Sequence, residues 1–276
     1  MKRLAKRNNS VYILVMGHFR QATTDRHMEN SKEYKSIKPD NTIADFVERT
    51  WLFQNSSADN NELIALPDGR IDIIFTLSPN EPFRIGIVGI ETKPSKNIFA
   101  AGTVMFGVSL KLLAVEYLLD ITISHLVDAL QLLPNNFWGI NQTDLHDFDR
   151  FCKKVSDHIS RLLKPYVDNR KKKLFDLIYS SNGSMTVKEL SEKVFWSSRQ
   201  INRYFNQQFG ISLKTYCNIL RFRASFPHIK EGKLFPKQNF ADQAHFIREV
   251  KKLSGATPKE LFKNQNDRFI QFSTLL

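Results

Sequence analysis

Cysteine is nearly absent from this chain. Cys152 and Cys217 are the only two, both in segments of helical period beside apolar residues. That excludes a disulfide framework and points to reduced, buried thiols, as in a cytoplasmic protein. No CxxC or HxxxH spacing occurs among the two Cys and seven His, so no metal site is expected, and no cofactor. No run of about 18 apolar residues is present, so no membrane span is expected either. Lys2-Arg3 and Lys6-Arg7 precede Val11-Tyr-Ile-Leu-Val-Met-Gly17. This run is short for a signal peptide, and His18-Phe19-Arg20 stands where a small-residue cleavage site would be. Residues 1–27 read as a flexible extension, with Met28 as an alternative start.

Acidic residues are scarce in one half only. Residues 168–276 hold 20 Lys/Arg against 9 Asp/Glu, and residues 1–167 hold 20 against 19, so almost all of the +12 net charge lies in the C-terminal part. A clustered positive field displaces counterions from phosphates. The plain alternative is a basic surface without a partner. At 276 residues, 42% hydrophobic and 22 Phe, the chain can build one large or two ordinary cores.

An α+β organisation is expected: a β-rich barrel or sandwich-like domain with trailing helices at 28–165, then an all-helical domain at 166–276. Thr42 can cap a short helix through Ile43, Phe46 and Val47. Trp51-Leu-Phe53 starts a strand. Pro67-Asp-Gly69 is a turn signal, after which Ile71, Ile73 and Phe75 alternate with Asp72, Ile74 and Thr76. Phe83–Ile90, Ile98-Phe99 and Val104–Val108 read as further strands. Leu110–Leu119, Ile123–Leu133 and Thr143–Leu163 have helical period. In the last, Leu145, Phe148, Cys152, Val155 and Ile159 share a face. Lys164-Pro165 ends it, Asp168–Lys173 reads as a charged hinge, and Lys173–Tyr179 as a helix.

The C-terminal half holds the sharpest pattern. Thr186 and Glu189 have the spacing of a capping box before a helix ending at Val194, with Val187, Leu190 and Val194 on one face. After Phe195-Trp196, Ser197 and Gln200 form a second box. Ile201, Tyr204, Phe205 and Phe209 then recur at helical spacing, and Gly210 stops the helix. The opposite face carries Ser198, Arg199, Asn202, Arg203 and Asn206, with no acid among them. Arg and Asn pair bidentately with guanine and adenine edges. A helix carrying them after a short supporting helix has helix-turn-helix geometry. A merely solvated face is the other reading.

The stretch Asn239–Leu261 resembles the second helix-turn-helix of AraC/XylS transcription regulators. It carries Phe240, Asp242-Gln243-Ala244, Phe246, Arg248, Lys251-Lys252, Gly255 and Thr257-Pro258, and Ser197, Ile201, Arg203 and Phe205 match the first motif. The resemblance covers roughly the last hundred residues. It implies a cytoplasmic, sequence-specific DNA-binding regulator that acts with RNA polymerase in the manner of an activator. Double-stranded DNA is the implied partner, and a small-molecule effector and a homodimer stay open. The family's motif positions assign Arg199, Asn202 and Arg203 to DNA contact, with Ser198 and Asn206 flanking them. Gln243, His245 and Arg248 are the matching positions in the second motif. Thr257 opens a helix whose amides could hold a phosphate. There are departures: Phe195 replaces a small residue, Val250 replaces Phe, and only Phe235–Ala241, with Pro236 inside, precedes Asp242. The first helix of the second motif is therefore short or lost. The Leu-Pro-Asp-Gly…Asp-Ile-Ile-Phe and Phe-Gly-Val-x-Leu patterns resemble an uncharacterised β-rich domain found ahead of such DNA-binding halves.

Asp72 stands in an otherwise apolar strand. A buried carboxylate needs donors, and the backbone of the Pro67–Gly69 turn or Arg70 is the expected source. An effector contact is the alternative, with Glu91 a weaker second candidate. No matching His or nucleophile accompanies the two acids, so an enzyme is not expected. Gly86-x-x-Gly89 is not followed by a helix and is no dinucleotide loop. A DNA-repair alkyltransferase would need a Pro-Cys-His setting that neither Cys has. An interaction protein with a degenerate second motif is the other rival.

Overall fold

The computed structural model describes residues 23–28, 32–235, 240–264 and 267–275. Alternating burial on Ile71, Ile73 and Phe75 sets the frame, since it gives one strand two chemically different faces. The strands are β1 (Thr23–Met28), β2 (Lys32–Ile37), β3 (Val47–Asn55), β4 (Asn61–Ala65), β5 (Ile71–Ser78), β6 (Glu81–Val88), β7 (Ser95–Phe99), β8 (Val104–Leu110) and β9 (Leu130–Leu133). The helices are α1 (Leu113–Tyr117), α2 (Phe148–Leu162), α3 (Asn169–Ser180), α4 (Val187–Val194), α5 (Ser198–Phe209), α6 (Leu213–Ala224), α7 (Phe226–Lys230), α8 (Gln243–Ser254), α9 (Pro258–Lys263) and α10 (Ile270–Thr274). The fold is thus α+β, with an antiparallel sheet ordered β1-β2-β3-β8-β5-β6-β9 and a separate β4-β7 pair.

One face of the large sheet packs under α2. The Phe151 ring lies 5.2 Å from Phe75 and 5.1 Å from Phe106, centroid to centroid, edge to face. The other face carries Tyr34, Trp51, Phe53 and Met105, which pack toward Leu63 of β4 and Phe99 of β7. The two sheets therefore form a sandwich on that side.

Several expected elements differ. Ile123–Leu133 is not a helix. Ser124–Leu126 is one 3-10 turn, and Leu130–Leu133 joins the open edge of β6, Ile85 opposite Leu133, where it satisfies backbone groups a helix would leave unpaired. Gly89 permits this: a Cβ there would sit 2.0 Å from the Leu126 carbonyl oxygen. Leu110 closes β8, leaving only Leu113–Tyr117 helical. Thr143 lies in a 3-10 turn, and α2 begins after Asp147, whose carboxylate accepts from Arg150 N. Its buried face is Phe148, Phe151, Val155 and Ile159, with Cys152 half-buried beside it. Asp168 is no hinge but the cap of α3. The helix expected after Thr42 is a run of turns. Of the extension expected at residues 1–27, residues 1–22 lie outside the described residues, and Thr23–Met28 pairs with β2.

The helical half docks on the sheet through buried polar contacts. Tyr216 donates from its hydroxyl to the Gly69 carbonyl at 2.9 Å. Gly69 has φ +74°, and a Cβ there would lie 3.0 Å from Leu220, so both the turn and the close approach favour glycine. Glu48 accepts from Arg70 at 3.1 Å and Arg223 at 2.5 Å. Burial alone would raise the Glu48 carboxyl, but the two guanidiniums outweigh it and hold it far below the usual range.

Candidate functional site

The first motif is built as a rigid unit. Thr186 Oγ1 accepts from Glu189 N at 3.2 Å, while Glu189 accepts from Thr186 N at 2.7 Å. Phe195 ends α4 in the left-handed region (φ +53°), its ring 86% exposed. Ser197 and Gln200 exchange the same pair of bonds at 3.3 and 3.0 Å and start α5. The inner face of α5 locks into an aromatic cluster, with Phe175 of α3 at 5.8 Å from Phe205 and 6.1 Å from Phe209. Gly210 caps α5 at φ +74°.

That packing fixes which side chains face out. Arg199, Arg203 and Asn206 are exposed, and Ser198 and Asn202 are half-buried. Among the described residues, neither Arg199 nor Arg203 is held by a hydrogen bond or an ion pair. Asn202 donates to Ser198 O at 3.0 Å, so part of its hydrogen-bonding capacity is spent on its own helix.

In the second motif, Asp242 accepts from His245 N at 2.7 Å and starts α8. Phe246, Val250 and Leu253 are buried, while Gln243, Arg248, Lys251 and Lys252 are exposed. His245 is half-buried; its Nδ1 accepts from Ala241 N at 3.3 Å, and its ring lies 5.7 Å from Phe240. Glu249 anchors α8 to α6 by accepting from Asn218 Nδ2 at 3.1 Å. Between Leu234 and Asp242 no helix occurs among the described residues; α7 ends at Lys230. The amides of Thr257 and Glu260 are engaged with each other's side chains. Glu260 accepts from Thr257 N at 2.6 Å, and Thr257 Oγ1 from Glu260 N at 3.3 Å, so a carboxylate already occupies the start of α9.

The two acids singled out in the sequence meet at one place. Asp72 and Glu91 both line a cavity of about 470 Å³ between the sheets. Asp72 does not bind the turn or Arg70. It accepts from Trp51 Nε1 at 3.1 Å and Ser109 Oγ at 2.5 Å. Asp68 takes the expected role instead, accepting from Arg70 N at 3.0 Å and from Arg49 at 3.2 Å. Gly107 lets the indole lie flat, since a Cβ there would be 2.2 Å from the Trp51 ring. Glu91 accepts from Ser95 Oγ at 2.5 Å. Burial lifts the Glu91 carboxyl to about 7, with Asp68, Asp72 and Asp128 adding to the effect. Burial and the neighbouring Asp68 also raise Asp72.

Sequence reasoning missed Trp51, Tyr34, Phe99 and Met105 in this wall, and Ile270, Gln271 and Thr274 of α10, which close one side. The strand residues were legible as alternate positions facing away from Ile73. Nothing near Gln271 hints at its position, because its Oε1 accepts from Leu66 N across 205 residues. The Cys152 and Cys217 thiols are free and pushed up to about 12 by burial. No group of three or more metal-ligating side chains occurs among the described residues, and no helix there is long and apolar enough to cross a membrane.

Residues 35–131 match the family described as a domain of unknown function, DUF6597. This segment is similar to that family. The match falls on the β-rich part expected ahead of the helical half. The DUF6597 segment runs from β2 into β9 and contains Asp72 and Glu91. No curated protein matches the chain. Among solved structures, ToxT from Vibrio cholerae is similar at 15% identity, covering 77% of this chain and 97% of that one, with a TM-score of 0.42. A second ToxT structure gives 13%, 81%, 97% and 0.43. ToxT bound to an unsaturated fatty acid gives 13%, 86%, 97% and 0.38. Likeness at this level assigns no function.

Proposed function

We propose that the chain is a sequence-specific DNA-binding transcription regulator of the AraC type, with α5 as its main reading helix and the DUF6597 half taking an effector. The observation that carries this reading is the outer face of α5. Its guanidiniums at Arg199 and Arg203 are exposed and uncommitted on a helix held from behind by Phe175, Phe205 and Phe209. Exposed Arg on a pre-positioned helix loses little in rotamer freedom when it meets a base edge. Asn206 and Ser198 extend the same face. Arg248, Gln243 and the Lys251-Lys252 pair on α8 supply a second contact, with His245 at the start of that helix beside them. Thr257 contributes little to DNA contact, because Glu260 stands in front of it.

A fluorescence-anisotropy titration tests this. The probes are duplex DNA from upstream of the chain's own gene and a shuffled duplex of equal length, each at two salt concentrations. Tighter binding to the native duplex by about three orders of magnitude, persisting at higher salt, is expected. Equal, salt-labile binding to both sinks the reading. The rival interaction protein would then stand, with α8, which no helix precedes among the described residues after Lys230, as the reason.

A further inference from the structure

The cavity between the sheets has an unusual charge balance. Four acids line it: Asp72, Glu81, Glu91 and Asp128. Two are compensated or capped from outside, Glu81 by Arg84 at 3.2 Å and Asp128 by Thr92 N and Oγ1 at 2.7 and 2.8 Å. Arg49, which also lines the cavity, gives its Nη2 to Asp68 at 3.2 Å, while its Nε and Nη1 are buried without a hydrogen-bond partner. Asp72 and Glu91 remain. Each accepts hydrogen bonds from neutral donors only, and neither has an ion-pair partner among the described residues. An uncompensated buried carboxylate is costly when ionised, and this cavity has two in its lining. Aromatic rings line the same cavity: Trp51, bonded to Asp72, and Tyr34 stack at 6.5 Å with 21° between planes, and a cation is attracted to aromatic faces when desolvated.

We propose that the cavity takes a small organic cation, an amine with an apolar body, its ammonium on the Asp72–Glu91 side and its body against Trp51, Tyr34 and Met105. This rests on the reading of the DUF6597 half as an effector domain and names the class of effector. The chemistry disfavours a carboxylate, because four acids line the cavity against the single guanidinium of Arg49, which is bridged to Asp68. A bound ammonium restores ionisation of Glu91, and the proton it carried leaves to the buffer. The occupant also touches α10. The segment just before that helix is held to β4 by Ile64 N donating to Arg268 O at 2.6 Å, and the helix to the end of α9 by Asn264, whose Nδ2 donates to Ser273 Oγ at 2.7 Å. Occupancy therefore bears directly on the segment that follows the second reading motif.

Calorimetric titration of the full chain at pH 6 with tryptamine, indole-3-ethanol and indole-3-acetate tests the assignment, since the three share a ring and differ in head group. Tryptamine is expected to bind one to one, at least tenfold tighter than the alcohol, with heats that change between buffers of different ionisation enthalpy. Glu91→Gln should weaken tryptamine at least tenfold and leave the alcohol unchanged, with an unliganded melting temperature at pH 7 no lower than that of the parent. Binding of the acetate as tightly as the amine would overturn the cation class and leave an effector cavity in place. So would an amine affinity indifferent to Glu91→Gln. Failure of all three to bind overturns the assignment, and the DNA titration above then decides the regulator reading on its own.

Discussion

Arg199 and Arg203 stand in water on α5 with no partner among the described residues, whereas Asp72 and Glu91 face a cavity whose one lining guanidinium, Arg49, is bridged to Asp68. Between these two regions Glu48 sits among Arg70 and Arg223 at the seam of the two halves. The same lack of a partner has opposite consequences. Exposed guanidiniums keep their charge and their freedom, which suits a surface that waits for phosphate and base edges. Half-buried carboxylates give up their charge unless something supplies a cation. The seam shows the third case, in which buried charges compensate one another and join two domains.

The seam offers the largest test of that contrast. Glu48→Ala leaves Arg70 and Arg223 buried without their anion and should destabilise by about 3–5 kcal/mol, read by chemical denaturation. A change under about 1 kcal/mol would mean that the seam is solvated like α5. Next comes the cavity. The Glu91 carboxyl is raised from 4.5 to about 7, so the folded state binds more protons than the unfolded one across that window. Stability should therefore fall as pH rises from 4.5 through 7, by roughly 2–3 kcal/mol for this group. Glu91→Gln should flatten that slope in pH-dependent melting, and an unchanged slope would place the titrating group elsewhere. Third, Arg199→Ala should cost about 1–3 kcal/mol on a specific duplex and much less on a random one. Equal losses on both would make it a phosphate contact. Smallest is Ser197→Ala, which removes one capping bond and should lower stability by about 1 kcal/mol.

The helices around α5 were legible because local signals agreed. Capping boxes at Thr186 and Ser197, a four-residue apolar stripe and a terminal glycine all constrain the same few turns, and each acts within four residues of itself. The central strands were legible by alternation. The stretch at Ile123–Leu133 was not, because its apolar spacing suits a helix and only the vacant edge of β6 decides for a strand. Asp72 was correctly marked as unusual but assigned the wrong donors, since Trp51 and Ser109 reach it from β3 and β8, strands far away in sequence. At Thr257, the spacing that makes a capping box also brings Glu260 to the helix start, which the sequence shows only through that spacing.

The bridge between Ile64 and Phe269 has a consequence for biosynthesis. A strand contact spanning some two hundred residues forms late, because loop closure must wait for everything between. On the ribosome the sheet can assemble first, with its cavity open along β4. The reading helices follow, and α10 closes the wall only after Gln271 has emerged. The pocket is thus completed last, after the helices it would govern. A nascent chain, or one clipped after α9, would carry those helices beside an open, unlidded cavity.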